Sequence, residues 1–358
     1  MGWTITIGRV AGTEIKVHLT FFILVAFWAM AGYQQGGPTG AVAASLLLFA
    51  LFACVVLHEF GHILMAGRFG VRTPDVILLP IGGVARLERI PDEPKQELLI
   101  ALAGPAVTLA IVVVLYAILA LAGNPPRLGE LDPDGPFLET LLRVNFYLLV
   151  FNLFPAFPMD GGRVLRAVLS SRLGLVSGTR IAARFGQASA VVAGLYGLST
   201  GQPLLALVAL FVYLGAGAES AAVETRIAGE GLNVSQMMVT QFRAIPVHAT
   251  LADAVQLLLS SEQREFPVVD NLGRVEGVLT RDNLIKGITQ RGTASTVGEA
   301  MTAQVQAVSP GLGFQEALDR LRSSGLPALP VVDGSGRLVG LLTLDNITDL
   351  LLVRRARA

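Results

Sequence analysis

Two histidines and a glutamate lie in an apolar stretch, Val55 to Leu64, in the pattern His-Glu-x-x-His formed by His58, Glu59 and His62. On a helix, residues four apart share a face, so both imidazoles can bind one metal ion while Glu59 lies beside them. This spacing is typical of zinc metalloproteases, in which the metal makes water acidic and the glutamate accepts its proton. The alternative is a chance pattern in a hydrophobic helix, although ionisable groups in apolar surroundings cost free energy and usually mark function. We therefore predict a zinc site with Glu59 as the catalytic base.

The composition predicts a membrane protein. Of 358 residues, 53% are hydrophobic and 15% are charged, with a mean hydropathy of +0.61, which excludes an ordinary soluble protein. The net charge is zero, so nothing indicates nucleic acid as a partner. A single cysteine, Cys54, excludes an intramolecular disulfide.

Six apolar windows predict a polytopic α-helical membrane protein with about six transmembrane helices, because crossing the bilayer takes roughly 20 residues. After the last window the composition becomes that of a soluble domain. We expect a membrane domain at 1–222 and a linker at 223–233. The windows are Leu19 to Tyr33, Gly40 to Ala66, Leu98 to Ala122, Phe137 to Phe154, Ala183 to Leu198 and Pro203 to Ala218.

Charge in the connecting loops predicts the orientation in the cell membrane. The loops on the side of both termini carry nearly all the lysines and arginines of the membrane domain, whereas the opposite loops carry only Arg127. Since basic residues accumulate on the cytoplasmic side, both termini are expected in the cytoplasm. The second span then runs inward, and its histidines precede Arg68, so the active site is expected within the membrane near the cytoplasmic face.

Between the second and third spans, a short apolar stretch contains Pro80, Gly82 and Gly83. It is too short and too interrupted to be another span, and paired glycines permit close backbone approach. We interpret it as a strand-like, partly embedded segment whose edge could bind an unwound substrate peptide by strand addition. The alternative is a surface turn.

A third metal ligand is expected, because catalytic zinc sites usually have three protein ligands and one open position. Asp160 lies after the fourth span, between prolines and the pair Gly161-Gly162, where the helix must break. A carboxylate there could turn back towards the second span. Taken alone, the Asp-Gly-Gly sequence indicates only a turn.

Together, the two segments resemble the site-2 protease family of intramembrane metalloproteases, in which His-Glu-x-x-His is completed by a later Asn-x-x-Pro-x-x-Pro-x-Asp-Gly-Gly segment. Here that segment runs from Asn152 to Gly162. The resemblance implies one Zn²⁺ per chain with Asp160 as third ligand, and a catalytic Asn152 that supports the substrate carbonyl as it becomes negative. It also places His18 close to the catalytic centre, as a candidate substrate-binding residue. On their own, Asn152 would be a helix-terminal amide and His18 an interfacial residue.

The family cleaves peptide bonds in or near transmembrane segments of membrane proteins, in regulated intramembrane proteolysis. The resemblance implies single-span substrates, such as anti-sigma factors or remnant signal peptides. Two other classes of function remain open from the sequence. One is a membrane transporter or channel with a regulatory soluble domain, and the other is an inactive scaffold that binds membrane segments without cutting them.

The soluble part contains an internal repeat with a constant offset of 63 residues, as from Phe266 to Leu329. Each copy is predicted to form a helix, a strand, a turn at Gly-Arg, a second strand, and a helix that begins after a threonine. These copies, at 234–290 and 297–353, resemble a tandem pair of cystathionine-β-synthase (CBS) domains. The expected fold is α/β.

CBS pairs often place adenine nucleotides in the cleft between their copies, so the resemblance makes Thr280, Asp282, Thr343 and Asp345 candidate nucleotide-binding residues. In the family an aspartate usually stands three positions after the threonine, whereas here it stands two positions after it. Helix capping is the alternative role. We expect the pair to act as a regulatory or dimerisation module, and the protein to be a homodimer.

Overall fold

The computed structural model of the chain describes residues 3–10, 12–80, 82–85, 93–123 and 135–357. The chain divides into two compact units, Met1–Val223 and Glu224–Ala358. Most of the first unit is helical, whereas the second mixes helices and strands. The division follows the change in composition from a membrane part to a soluble part.

The first unit contains four short strands among long helices. Its elements are β1 Thr4–Val10, β2 Thr13–His18, α1 Leu19–Arg68, β3 Asp75–Leu79, β4 Gly82–Ala85, α2 Pro94–Leu121, α3 Phe137–Leu153, α4 Asp160–Leu173, α5 Leu175–Ser199 and α6 Pro203–Gly229.

The α1 segment is a helical hairpin. Gly36 and Gly37 have non-helical torsion angles, and Gly37 has a φ of 64°, which favours glycine. The Phe21 and Phe52 rings from the two arms meet edge to face, with centroids 4.5 Å apart. The break falls between the first two predicted apolar windows.

Among the described residues, three helices are long and apolar enough to cross a membrane: α1, α2 and α6. The helices α3 and α5 occupy the fourth and fifth predicted windows. The chain is therefore a multi-pass membrane protein, and the count of six spans stays a prediction. The α4 helix was missed, because its sequence contains three arginines and no long apolar run.

The strands of the first unit form one sheet in the order β1-β2-β3-β4. The strand-like interpretation of the segment around Pro80 agrees with the β3–β4 hairpin, which pairs Leu78 with Gly83. Strands β1 and β2 were not foreseen. On one face, Val17 of β2 and Leu78 of β3 pack on Phe21 and Phe52 of the α1 hairpin. The sheet is thereby fixed against the helices, with β4 at its edge.

The second unit contains both repeat copies, and each has the predicted order of helices and strands. Its elements are α7 Val234–Met237, β5 Ile245–Pro246, α8 Leu251–Leu259, β6 Glu265–Val269, β7 Val275–Thr280, α9 Arg281–Arg291, α10 Val297–Ala300, β8 Thr302–Ala303, α11 Phe314–Ser324, β9 Ala328–Val332, β10 Leu338–Thr343 and α12 Leu344–Arg357.

Each copy completes its core with the leading segment of the other. Met237 of α7 packs with Phe314 of α11 in one hydrophobic core, and Val297 of α10 packs with Leu251 of α8 in the other. The strand β8 pairs with β7 of the first copy. The repeat units at 234–290 and 297–353 are therefore not independent packing units.

The arms of the α1 hairpin approach closely at Gly32, where a Cβ atom would lie 2.5 Å from the Gly40 carbonyl oxygen and 2.7 Å from the Ala44 Cβ. We expect Gly32→Ala to separate the arms and lower the melting temperature of the detergent-solubilised protein by several degrees, since overpacking costs about 1–3 kcal/mol. In Gly67→Ala, on the same helix, the new methyl group meets no atom within 4 Å. This control should gain up to about 1 kcal/mol from helix propensity. Equal melting temperatures for the two variants would contradict the close crossing.

Candidate metal centre

Two buried histidines of α1 form one side of the centre. His58 and His62 are 7% and 5% exposed, and their ring centroids are 4.8 Å apart. The apolar sequence around them is helical throughout, which puts residues four apart on one face. That face is turned towards α2.

The α2 helix fixes the orientation of both imidazole rings. The Nδ1 of His62 lies 2.7 Å from the Ile100 carbonyl oxygen. A carbonyl only accepts hydrogen bonds, so Nδ1 donates and the Nε2 lone pair is left for a metal. The Nδ1 of His58 lies 2.8 Å from the Thr108 hydroxyl oxygen, which in turn donates to the Gly104 carbonyl at 3.5 Å. The Nε2 lone pair of His58 is therefore also left for a metal.

Asp160 is brought to the histidines by the turn between α3 and α4. It is the first residue of α4 and is 9% exposed. A Cβ atom at Gly161 would overlap the carbonyl oxygens of Leu153 and Phe154. One at Gly162 would lie 2.5 Å from the Phe157 nitrogen. The glycine pair is required because the incoming loop packs directly against the first turn of α4.

Three ligand atoms form a nearly equilateral triangle. The Oδ2 of Asp160 lies 3.1 Å from the His58 Nε2 and 3.3 Å from the His62 Nε2, and the two Nε2 atoms are 3.1 Å apart. Tetrahedral zinc with metal–ligand distances of about 2.0–2.1 Å needs ligand atoms about 3.3 Å apart. The donor set of two imidazoles and one carboxylate also fits zinc. These three residues are the cluster that could hold a metal ion within the described part of the chain.

A cavity of about 310 Å³ opens beside this triangle. Of the predicted site residues, it brings together Glu59, Asn152, Gly82 and Gly83 with the three candidate ligands. Gly83 lies directly against the glutamate, since a Cβ there would come within 2.7 Å of the Glu59 Cγ. The Glu59 carboxylate, the three candidate ligands and the sheet edge thus meet in one cavity.

Two predicted substrate-binding residues do not line this cavity. His18 is the N-cap residue of α1, and its Nδ1 accepts a hydrogen bond from the Thr20 backbone nitrogen at 3.3 Å. Pro80 lies in the turn that precedes β4. Their roles in substrate binding stay predictions.

The four candidate nucleotide-binding residues differ in position. Thr343 and Asp345 line a cavity of about 880 Å³ within the second unit, whereas Thr280 and Asp282 do not line it. Both threonines are helix caps: Thr280 accepts a hydrogen bond from the Asn283 nitrogen, and Thr343 accepts one from Asn346, each at 3.1 Å. The capping role expected for the aspartates thus belongs to the threonines.

Sequence reasoning missed the residues that hold the histidines. Thr108 and Gly104 lie in the third apolar window, where nothing marks a polar contact. A Gly-Pro pair, Gly104-Pro105, interrupts that window and was the available signal. A Cβ at Gly104 would overlap the His62 Nε2 and lie 2.7 Å from the His58 Nε2. Arg163, which also lines the cavity, was used only to orient the chain in the membrane.

The fold and the site together define a multi-pass membrane protein with a metallohydrolase centre. The family model for peptidase family M50 matches residues 46–130 and 135–193, and the CBS domain model matches 234–290 and 297–353. A zinc metalloprotease of Methanocaldococcus jannaschii is 33% identical over 348 residues, which cover 97% of this chain and 96% of that one. This chain therefore belongs to peptidase family M50, the site-2 proteases, and carries a tandem CBS pair.

Two solved structures are similar in sequence to parts of this chain. The site-2 protease from Methanocaldococcus jannaschii is 39% identical, with a TM-score of 0.47, and covers 61% of this chain and 95% of that one. The crystal structure of CBSX2 in complex with AMP is 26% identical, with a TM-score of 0.32, and covers 35% and 99%. The family model and the metalloprotease relative confirm the expected family and the expected zinc-dependent protease activity.

Gly104 gives a direct test of the centre. We expect Gly104→Ala to displace both imidazoles and to weaken zinc binding by about 100-fold or more, at or beyond the upper range for residues that orient ligands. The measurement is the zinc dissociation constant of the purified full-length protein, obtained by competition with a chelating dye. Ala106→Val is the control, because it adds bulk on the same helix at an exposed position. Wild-type zinc affinity in Gly104→Ala would contradict the observed packing.

Proposed function

We propose that this protein is an intramembrane endopeptidase, which hydrolyses peptide bonds in or near transmembrane segments of other membrane proteins. The observation that carries the proposal is the ligand triangle of His58, His62 and Asp160. Two of its three residues lie on α1, which is apolar enough to cross a bilayer, and the triangle opens onto the same cavity as Glu59. Peptide bonds within the membrane are the bonds that such a centre can reach.

The chemistry divides among the residues of the cavity. When bound, zinc supplies the Lewis acidity that makes water nucleophilic at neutral pH. Glu59 accepts the proton of the attacking water and passes it to the leaving amine nitrogen. Asn152 donates a hydrogen bond to the carbonyl oxygen as negative charge develops on it.

An extended substrate fits beside β4. Among the described strands β4 lies at an edge of the sheet, where a substrate strand could pair with its outer backbone groups. Because Gly82 and Gly83 have no side chains, a substrate backbone could approach Glu59 closely. We propose that an unwound segment adds to this edge, with Pro80 shaping the turn and His18 at the start of the first span contributing to the same region.

We further propose six spans, cytoplasmic termini and an active site near the cytoplasmic face, on the basis of the loop charges. Substrates would be single-span membrane proteins, with anti-sigma factors and remnant signal peptides as the expected kinds. The complete ligand set speaks against an inactive scaffold. A transporter would have no use for Glu59 beside a zinc site.

A substitution of Glu59 distinguishes the protease from the scaffold and the transporter. We expect Glu59→Gln to keep zinc affinity, because the side chain is not a ligand, and to lower the cleavage rate of a co-reconstituted one-span substrate by about 10²- to 10⁴-fold. Glu276→Gln makes the same chemical change at an exposed position in the second unit and should cleave normally. Cleavage by Glu59→Gln at the wild-type rate would refute the mechanism, and zinc-dependent ion flux without cleavage would favour a transporter.

We propose that the CBS pair binds an adenine nucleotide in the cavity that contains Thr343 and Asp345, and so regulates the protease or its dimerisation. Acidic residues outnumber basic ones in the lining of this cavity, where Glu262, Glu265, Asp345 and Asp349 accompany Arg264 and Arg281. Partial burial, followed by repulsion from Asp345 and Asp282, raises the pKa of Glu265. At neutral pH the Glu265 carboxylate therefore opposes a nucleotide phosphate.

The acidic cleft predicts how AMP binding depends on pH. As the pH falls towards the raised pKa of Glu265, its carboxyl becomes neutral, and the affinity for AMP should rise several-fold. Glu265→Gln should bind more tightly at neutral pH and lose most of this dependence. Asp345→Asn should weaken binding and Asp282→Asn should not, as titration calorimetry of the full-length protein would show. No binding of AMP or ATP at millimolar concentration would leave the pair as a dimerisation module.

A further inference from the structure

A buried arginine joins three helices of the membrane domain. Arg166 of α4 is 3% exposed, and its Nε donates a 2.6 Å hydrogen bond to the Glu97 Oε1 at the start of α2. Its Nη2 also contacts that oxygen, and its Nη1 donates to the Glu219 Oε1 on α6. Glu97 is 5% exposed. One guanidinium therefore connects α2, which holds the histidines, with α4 and α6.

The same guanidinium packs on the loop that leads to Asp160. Its central carbon lies 5.1 Å from the ring centroid of Phe157, which is 1% exposed. Phe157 precedes Asp160 by three residues and Arg166 follows it by six. The contact between them therefore joins the two segments that flank the candidate metal ligand. Gly162 reinforces this connection, because its Cα packs against the Phe157 backbone. The position of Asp160 is thus set from both sides.

A simple structural role explains these contacts poorly. Taking charges out of water costs several kcal/mol per ion, and replacing a buried ion pair with packed apolar residues is often neutral or stabilising. A planar guanidinium, however, fixes two carboxylates and one ring in a defined geometry. Such a geometry is what a metal ligand requires, since a carboxylate displaced by about 1 Å no longer completes the site.

We propose that Arg166 is a positioning residue that holds Asp160 against the two histidines, and that Glu219 makes this position depend on α6. The inference rests on the proposed role of Asp160 as the third zinc ligand. Because α6 continues from Glu219 to Gly229, the last helix before the CBS pair is tied to the geometry of the metal centre.

The test measures zinc affinity of the full-length protein in nanodiscs, by competition with a chelating dye. Arg166→Lys keeps the charge but cannot bridge both glutamates or stack on Phe157, and we expect zinc affinity to fall about 10- to 100-fold. At limiting zinc, kcat for a one-span substrate should fall with zinc occupancy, return at saturating zinc, and leave KM unchanged. A purely structural defect would not be restored by zinc in this way.

Arg143→Lys is the matched control. Arg143 is also a buried arginine in a helix of the first unit, 8% exposed and 3.1 Å from the Glu139 Oε2, but it does not line the metal cavity. It should lower the melting temperature while zinc affinity stays within about twofold of wild type. If Arg166→Lys does not fold, Glu219→Ala carries the test, since Arg166 then keeps Glu97.

Wild-type zinc affinity in a folded Arg166→Lys or Glu219→Ala protein would overturn the proposal. An equal loss of affinity in Arg143→Lys would also overturn it, because the effect would then be general destabilisation. Zinc binding is measured without substrate. A protein that binds zinc in an Arg166-dependent way but cleaves nothing would therefore refute the proposed function and leave this inference standing.

Discussion

A polar group buried among apolar helices is costly without a partner, and this constraint shapes the candidate metal centre. His58 and His62 satisfy it by bonding to α2 through Nδ1, which leaves both Nε2 atoms aimed at Asp160. The helix α2 is therefore part of the metal site, although it supplies no ligand. The partners that make the histidines tolerable in an apolar interior also select the tautomer that binds zinc.

Close backbone approach is the second requirement, and glycines meet it. Gly104 lets α2 reach the imidazoles, Gly61 lets α1 reach the Ala103 carbonyl, and Gly83 lets β4 reach the Glu59 side chain. At each of these positions a methyl group would meet an atom of the site or of the helix crossing beside it. Without a strong hydrophobic force between helices in lipid, small residues and hydrogen bonds hold such crossings together.

The sequence alone predicts those parts of the site that depend on residues close together in the chain. The spacing of His58 and His62 puts them on one helical face, and the prolines and glycines around Asp160 force the turn that returns the carboxylate. Sequence did not reveal contacts between distant segments. In the sequence, Thr108 is not distinguishable from any other threonine in an apolar helix. Its hydrogen bond with His58 forms because α1 and α2 pack together at these two residues.

The same limit explains the missed elements. Helix α4 has an amphipathic, arginine-containing sequence that resembles a cytoplasmic loop, and Arg166 counted only as a positive charge when the topology was assigned. Its partners, the buried Glu97 and the partly exposed Glu219, lie on other helices. In the second unit, the two copies of the repeat are similar in sequence, but their corresponding threonines have different surroundings. Thr280 and Thr343 cap their helices in the same way, because capping depends on the next three residues.

The surroundings of the two helix caps differ, because a different distant segment of the chain contacts each of them. Asn283 donates to the Thr302 hydroxyl, whereas its counterpart Asn346 donates to the Met237 carbonyl. Of the two capping threonines, Thr343 lines the cavity that also contains Glu265, and Thr280 does not. A repeat in sequence fixes the fold of each copy, but a binding site between copies depends on residues that the repeat does not conserve. The position of Thr343, but not of Thr280, in the lining of this cavity is therefore a difference that the sequence repeat alone would not predict.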